Sequence, residues 1–271
     1  MNGIQNATDE KAQFAWQPLT VRGVAAFASA TLGRLLLVQF IVALLAAGLV
    51  VWFVHKAWFP TIGEAIRNLP SAGEIRSGRL EWPGPSPKRL AEGRFLALVV
   101  DLDHTGEARS PAQVQAEFGR QDFKVFSLFG YVQSAYPRDC TVAFNQTELG
   151  PWWGAWAPPI LAIVAGLVVT GLMMIWACLA TLYCLPVWLI GFFADRDCSL
   201  GGSWRLAGAA LMPGSLLMCA AFLTYGWGAL DLVRLTMAGA VHLVVGWLYL
   251  AVSPLYLPRH PDATANINPF V

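Results

Sequence analysis

Charged side chains are scarce in this sequence. Only 13% of the residues are Asp, Glu, Lys or Arg, about half the share found in soluble domains, and residues 156–194 contain none. A helix needs about 20 apolar residues to cross a bilayer core roughly 30 Å thick. Three further uncharged runs, at 35–54, 206–230 and 235–257, are long enough. The sequence therefore predicts an α-helical integral membrane protein with four transmembrane helices.

Several functional patterns are also missing. The net charge is only +1, so no basic surface indicates binding to nucleic acid. Cys140 is the one cysteine between residues 57 and 155, which excludes a disulfide within that segment. No CxxC pair, HExxH motif or phosphate-binding loop occurs. We therefore predict no cofactor and no enzymatic activity.

The charges that do occur are concentrated between the first two apolar runs. Residues 57–154 hold more than half of all the acidic and basic side chains. This length is sufficient for one small domain with its own core. We predict an inserted α+β domain, mostly β, mounted on the membrane helices. Strands are predicted at 76–82, 94–102, 122–129 and 141–144, and helices at 62–69 and 110–120.

The remaining residues are assigned to the membrane and its surfaces. Residues 1–34 are predicted to be a cytoplasmic leader with an interfacial helix at 20–34, or alternatively a simple extension of the first spanning helix at 35–54. Residues 206–253 are predicted to form the third and fourth helices, with a kink at Pro213. Residues 254–271 are predicted to form a cytoplasmic tail.

The run 156–194 is nearly twice as long as a single crossing requires. It is predicted to be one long helix kinked at Pro186 with an extension, or two spans. With four spans, all the basic residues of the short flanks share one side, which the positive-inside rule makes cytoplasmic. Both termini are then inside and residues 57–154 outside. The basic residues in question are Lys11, Arg22, Arg34, Arg196, Arg205 and Arg259.

Two aspartates follow the strongest predicted strand. Asp101 and Asp103, with Thr105, have the strand–DxDxT form of the haloacid-dehalogenase phosphatase signature. The same residues match the first positions of a calcium-binding loop, although the residue at its twelfth position is Ala112 rather than Glu. A strand-to-turn corner, with Asp101 bonded to the backbone, is the interpretation that we favour.

Three ionisable residues lie in or beside the last predicted helix. His242 is inside it, where an ionisable side chain is a functional candidate by default. A neutral histidine bonded to a helix carbonyl is the favoured alternative. Asp231 and Arg234, three residues apart at the start of the helix, are predicted to form an ion pair at the outer interface.

Short motifs in the chain resemble a family of uncharacterised bacterial multi-pass membrane proteins, some of which carry the description maltodextrin-utilisation protein. The motifs are LPSAGEIRSGRL at 69–80, DHTG at 103–106, SWRLA at 203–207 and AALMP at 209–213. The resemblance implies the same order of parts and a bacterial inner-membrane location. It implies no activity.

A folded domain on a small helical bundle predicts a binding, sensing or accessory protein. Its partners would be the lipid bilayer, a membrane-protein partner or second copy, and an extracytoplasmic ligand. A transport or lipid-handling role is the first alternative, based on Pro186, Pro213 and His242. A metal or phosphatase site at Asp101 and Asp103 is the second.

Overall fold

The computed structural model describes residues 17–259, and the chain divides into two compact units. Within the described residues, the helical unit consists of 17–49 and 166–259, and the sheet unit of 50–165. The helices are α1 (Val21–Ala26), α2 (Leu32–Phe53), α3 (Phe59–Arg67), α4 (Gln146–Phe193), α5 (Leu200–Ala210), α6 (Met212–Gly226) and α7 (Leu232–Val252). The strands are β1 (Glu74–Arg76), β2 (Arg79–Glu81), β3 (Lys88–Glu92), β4 (Leu96–Val100), β5 (Val114–Phe118), β6 (Asp122–Ser127), β7 (Gly130–Ala135) and β8 (Val142–Ala143).

Four helical stretches of the described chain are long and apolar enough to cross a membrane, as the sequence predicts. They are Leu32–Arg67, Gln146–Phe193, Leu200–Gly226 and Leu232–Tyr256. Their bounds differ from the predicted ones, and each difference has a local cause.

The first stretch does not end near residue 54. A π-helical segment, Val54–Trp58, joins α2 directly to α3. The N–H of Phe59 bonds to the carbonyl of Val54, which is five residues earlier. Pro60 lies in the first turn of α3, where its missing N–H is tolerated. The helix predicted at 62–69 is therefore the end of the first long helix.

Residues 156–193 of the uncharged run lie within a single helix, so the alternative of two spans is wrong. The helix α4 begins at Gln146, inside the predicted domain, because Asn145 accepts a hydrogen bond from the N–H of Glu148 at 2.9 Å. Its 48 residues correspond to a length of about 72 Å.

The third and fourth stretches also begin at capping residues. Ser199 accepts from the N–H of Gly202 at 3.1 Å, so α5 starts before residue 206. Pro213 is in the first turn of α6, after a break at Leu211, rather than at a kink within one helix. Asp231 caps α7.

Before the first long helix, α1 is a separate element. Thr20 caps it by accepting from the N–H of Gly23 at 3.0 Å. A 3₁₀ turn, Phe27–Ser29, follows, and Ala30 breaks the helix before α2 begins. The alternative of a simple extension of the spanning helix is wrong. The rest of the predicted leader and tail, 1–16 and 260–271, lies outside the described residues.

Close helix packing depends on two glycines in the helical unit. A Cβ atom on Gly214 would lie 2.6 Å from the carbonyl oxygen of His242, so α6 and α7 meet backbone to backbone. A Cβ atom on Gly208 would lie 3.1 Å from the side chains of both Leu35 and Gln39. Gln39, only 2% exposed, donates to the Gly208 carbonyl at 3.3 Å, which satisfies a polar side chain in an apolar core.

The sheet unit contains two sheets. The first has the order β2-β1-β8, and the second has the order β3-β4-β5-β6-β7. All pairs are antiparallel except β4 and β5, which are parallel. The strand predicted at 76–82 is instead the β1–β2 hairpin, in which Ser77 and Gly78 adopt positive φ.

The prediction of a helix at 110–120 is wrong. Ser110 does not cap a helix: its hydroxyl accepts from the N–H of Ala112 at 3.1 Å within a tight turn. The following residues form β5, because its backbone pairs with β4 and β6. Tertiary pairing here outweighs the Ser-Pro signal. The predicted strands 94–102, 122–129 and 141–144 are confirmed as β4, β6 and β8.

The segments before β1 and after β8 are held together by two backbone hydrogen bonds, which we call the clasp. Phe144 donates its N–H to the carbonyl of Gly73 at 2.9 Å, and Gln146 donates to Pro70 at 3.1 Å. A Cβ on Gly73 would lie 2.7 Å from the Phe144 carbonyl, so only glycine fits this approach. Leu80, Leu90 and other apolar side chains pack beneath the clasp as the core of the unit.

Candidate functional site

The parallel strands β4 and β5 are joined by residues 101–113, here called the crossover loop, which contains no helix. It begins with the turn predicted from the sequence. Asp101 is 1% exposed, and its Oδ2 accepts from the Thr105 hydroxyl at 3.0 Å and from the N–H of Gly106 at 2.9 Å. Gly106 has a φ of 80°, which favours glycine.

His104, the central residue of that turn, lies between two carboxylates. Its Nδ1 is 2.6 Å from Glu117 Oε1 on β5, and its Nε2 is 2.6 Å from Asp122 Oδ1 on β6. Glu117 is 1% exposed. A protonated imidazole donates from both nitrogens, so this contact pins the crossover loop across two strands.

Neighbouring amides complete the arrangement. Gln115 is 3% exposed; its Nε2 donates to Glu117 Oε2 at 3.2 Å, and its Oε1 accepts from the N–H of Ser110 at 2.9 Å. Gln133 donates to the other oxygen of Asp122. We call His104, Gln115, Glu117, Asp122 and Gln133 the polar cluster.

Strand alternation explains why these side chains meet. In β5, Ala116 and Phe118 point to one face and Gln115 and Glu117 to the other. Phe118 packs on the hydrophobic core, so the polar residues face the crossover loop instead. Gly119 makes room, because a Cβ there would lie 2.4 Å from His104 Nε2.

The electrostatics favour the ionised cluster. Burial acts to lower the pKa of His104, but hydrogen bonds from its ring to Glu117 and Asp122 outweigh burial and raise this pKa above its ordinary value of 6.5. Burial acts to raise the pKa of Asp122, and the bonds from His104 and Gln133 outweigh it and lower this pKa. Both shifts favour a protonated imidazole beside an ionised Asp122.

This geometry restricts what His104 can do chemically. When the imidazole is protonated, both ring nitrogens donate hydrogen bonds, so in that state neither has a lone pair for a proton or a metal ion. Among the residues described, no group of three His, Cys, Asp or Glu side chains is placed to hold a metal. The contacts of the cluster position the crossover loop against β5 and β6.

The structure separates the two predicted aspartates. Asp101 is buried within its turn, whereas the Asp103 side chain is 68% exposed and pairs with Arg120 at 3.1 Å. Burial acts to raise the pKa of Asp101, but the hydrogen bonds from Gly106 and Thr105 outweigh it and lower this pKa. Its Oδ1 has no hydrogen-bond partner among the described residues.

The ionisable residues of the last helix have local partners. His242 Nδ1 bonds to the carbonyl of Gly239, one turn earlier in α7. Asp231 accepts from the N–H of Arg234 at 2.7 Å as the helix cap, and its other oxygen is 3.6 Å from the Arg234 guanidinium. The predicted ion pair therefore exists, and the cap is its shorter contact.

The five-stranded sheet has two different edges. At one edge, β3 carries Lys88, Arg89 and Glu92 and a register shift after Arg89, features that discourage strand addition. At the other edge, β7 reads GYVQSA, has no charge or proline, and is exposed at all six positions. Tyr131 is 62% and Val132 73% exposed.

Each unit of the described chain has an open cleft. The cleft in the sheet unit has a volume of about 630 Å³ and lies beside the clasp, with Glu74, Glu81 and Trp82 in its wall. The cleft in the helical unit has a volume of about 420 Å³. Arg22, which lies over the Tyr256 ring at 5.8 Å, and Ser199 line it.

Sequence reasoning missed the polar cluster because its signal was assigned to a helix. The segment VQAEF alternates polar and apolar residues, the period of a strand. Recognising that period would have placed Gln115 and Glu117 on one face. The partnership with His104 depends on the turn geometry, which no local pattern specifies.

Comparison with known proteins gives no relative: no family model, curated protein or solved structure matches the chain.

Proposed function

We propose that this chain is a non-enzymatic accessory or binding protein of a bacterial inner membrane, whose sheet unit lies outside the cytoplasm and binds a partner protein. The observation that carries the proposal is the unprotected edge strand β7. A free edge offers a row of backbone donors and acceptors, and a partner strand can add to it.

The contrast between the two edges supports this choice. Both edges belong to the same sheet, yet only β3 carries the charges and irregularity that block pairing. An uncharged exposed edge is an aggregation hazard unless a partner covers it. The exposed Tyr131 and Val132 would supply apolar contacts to that partner.

The test is co-purification from native membranes in mild detergent, with mass spectrometry of associated proteins. We expect a stoichiometric partner that Val132→Lys releases. Val142→Lys is the matched control, since it makes the same change on an exposed strand of the other sheet. Recovery of the protein alone, or a partner retained by Val132→Lys, would contradict the proposal.

A lipid-handling or transport role is the second candidate, favoured by the cleft of the helical unit. Arg22 and the hydroxyl of Ser199 at its wall match a ligand with an anionic head and an apolar body. Native mass spectrometry of the purified protein should then detect bound lipid, and Arg22→Gln should reduce its occupancy. Equal occupancy in both proteins would remove this candidate.

A metal or phosphatase site at Asp101 and Asp103 is the third candidate. The unpartnered Oδ1 of Asp101 favours it; the exposure and ion pairing of Asp103 do not. Binding of Ca²⁺ or Mg²⁺ should raise the thermal stability of the protein. Unchanged stability with either ion, together with no phosphatase activity, would eliminate this candidate.

A further inference from the structure

A second exposed feature of the sheet unit is the tip of the β6–β7 hairpin. The loop has two residues, Leu128 and Phe129, between the paired residues Ser127 and Gly130. Leu128 is 52% and Phe129 78% exposed. Two-residue hairpin loops favour Asn, Asp and Gly, so turn geometry gives no reason for two large apolar side chains here.

The strand register identifies the end of the sheet to which the tip belongs. Phe126 on β6 lies opposite Gln115 on β5, and Leu96, the first residue of β4, lies opposite Val114. The tip is therefore at the end where β4 begins. At about 4.8 Å per strand, it lies about 10 Å across the sheet from that start.

The same end of the sheet contacts the end of α2. Phe95, just before β4, places its ring 5.0 Å from Phe53, in an edge-to-face arrangement. Phe53 is the last residue of α2 and belongs to the same unit as Phe95. The apolar tip and the end of a membrane-crossing helix are therefore on the same side of the sheet.

Aromatic and basic residues mark this level as the membrane surface. Trp58 lies 6.4 Å from Phe53, and Lys56 lies 5.2 Å over the Trp52 ring. Tryptophan and lysine at a helix end are typical of the interface between hydrocarbon and water. Near the tip, Arg109 stacks on Phe126 at 3.6 Å, which provides a cation for acidic headgroups.

We infer that Leu128 and Phe129 insert into the surface of the bilayer that holds α2. The hairpin is then a third attachment of the sheet unit to the membrane, besides the helices α2 and α4. The occupant is lipid: acyl chains around the two apolar side chains and headgroups around Arg109. This contact is distinct from the partner strand proposed for β7, since it uses the loop and not the edge.

The test uses the full-length protein reconstituted in vesicles of phosphatidylcholine and phosphatidylglycerol. A background with all five native cysteines replaced receives a single cysteine at 129, 128 or 140, and each is spin-labelled. Cys140, exposed in the loop after β7 and so at the opposite end of the sheet, is the matched control. Collision rates with oxygen and with a water-soluble nickel chelate measure the depth of each label.

We expect the labels at 128 and 129 to collide with oxygen several-fold more often than with the nickel chelate, and the label at 140 to show the reverse. Nickel collision rates at 128 and 129 equal to that at 140 would overturn the inference. Shielding in native membranes but not in vesicles of pure protein would also overturn it, because a protein partner would then cover the tip. Loss of the β7 partner does not affect either measurement.

Discussion

Two polar side chains of the helical unit, Gln39 and His242, bond to neutral carbonyls, whereas His104 of the sheet unit lies between charged side chains. Gln39 donates to a backbone carbonyl, and His242 bonds to a carbonyl of its own helix. In the sheet unit, His104 lies between the carboxylates of Glu117 and Asp122. Helices that cross a membrane have no water to stabilise ions, whereas a small sheet domain can use an ion pair to fix a loop. The two units should therefore respond to different perturbations.

The largest effect is expected from His104→Asn. Asparagine tolerates the positive φ of 52° at this position but offers one amide in place of two ring nitrogens. Leaving a buried carboxylate without its cation costs roughly 3–5 kcal/mol. Hydrogen exchange followed by mass spectrometry should show faster exchange in 101–118, with the helical unit unchanged.

His55→Asn serves as the control for this substitution, since His55 is exposed and its ring lies 6.0 Å from that of Phe59. Equal exchange in the two variants would mean that the polar cluster does not hold the crossover loop.

The second effect concerns the helical unit and is a steric one. Gly214→Ala places a methyl group 2.6 Å from the His242 carbonyl. Overpacking of this kind costs typically about 1–3 kcal/mol. Gly239→Ala is the matched control, because nothing lies within 4 Å of its new methyl group, and alanine is the better helix former by about 1 kcal/mol.

The midpoint temperature of thermal unfolding in detergent should therefore be lower for Gly214→Ala and unchanged or higher for Gly239→Ala. Two variants with the same midpoint would contradict the close approach of α6 and α7.

A smaller effect separates a helix cap from a surface ion pair. Asp231→Ala removes the cap of α7 and should cost about 0.5–2 kcal/mol. Arg234→Ala removes only the exposed ion pair at 3.6 Å, which is worth about 0–1 kcal/mol. Exchange of the first turn of α7 should be faster in the aspartate variant. The opposite order would show that the ion pair dominates.

The smallest expected effect is a dependence on pH that only the sheet unit shows. Because the fold raises the pKa of His104, its stabilisation is complete below the ordinary pKa of 6.5 and is lost as pH rises through the raised pKa. Glu117 and Asp122 stabilise the charged ring, and Lys124 opposes it. As pH rises through the raised pKa of His104, amide hydrogen exchange in residues 101–118 should become faster by more than the intrinsic exchange rate does. His104→Asn should abolish this excess, and an excess that persists would assign it to another group.

The same contrast explains which parts could be predicted. Helices long and apolar enough to cross a membrane follow from uncharged runs alone, so the four in the described part of the chain could be predicted. Their ends depend on individual caps such as Asn145 and Ser199 and were misplaced. In the sheet unit, β4 and β6 show clear strand patterns, but β5 was predicted as a helix because Ser110-Pro111 before it resembles a helix start, and the pairing with β4 and β6 that makes it a strand is tertiary. The polar cluster is formed by that pairing and could not be predicted without it.

The clasp at the ends of the sheet unit has a consequence for how the chain is made. Strand β1 pairs with β8. The three-stranded sheet therefore cannot be complete until Ala143, the partner of Glu74, has left the ribosome. The bond from Gln146 to Pro70 closes the unit at the first residue of α4. The hydrogen bonds that close the sheet unit therefore cannot all form until the first residue of α4 has been synthesised.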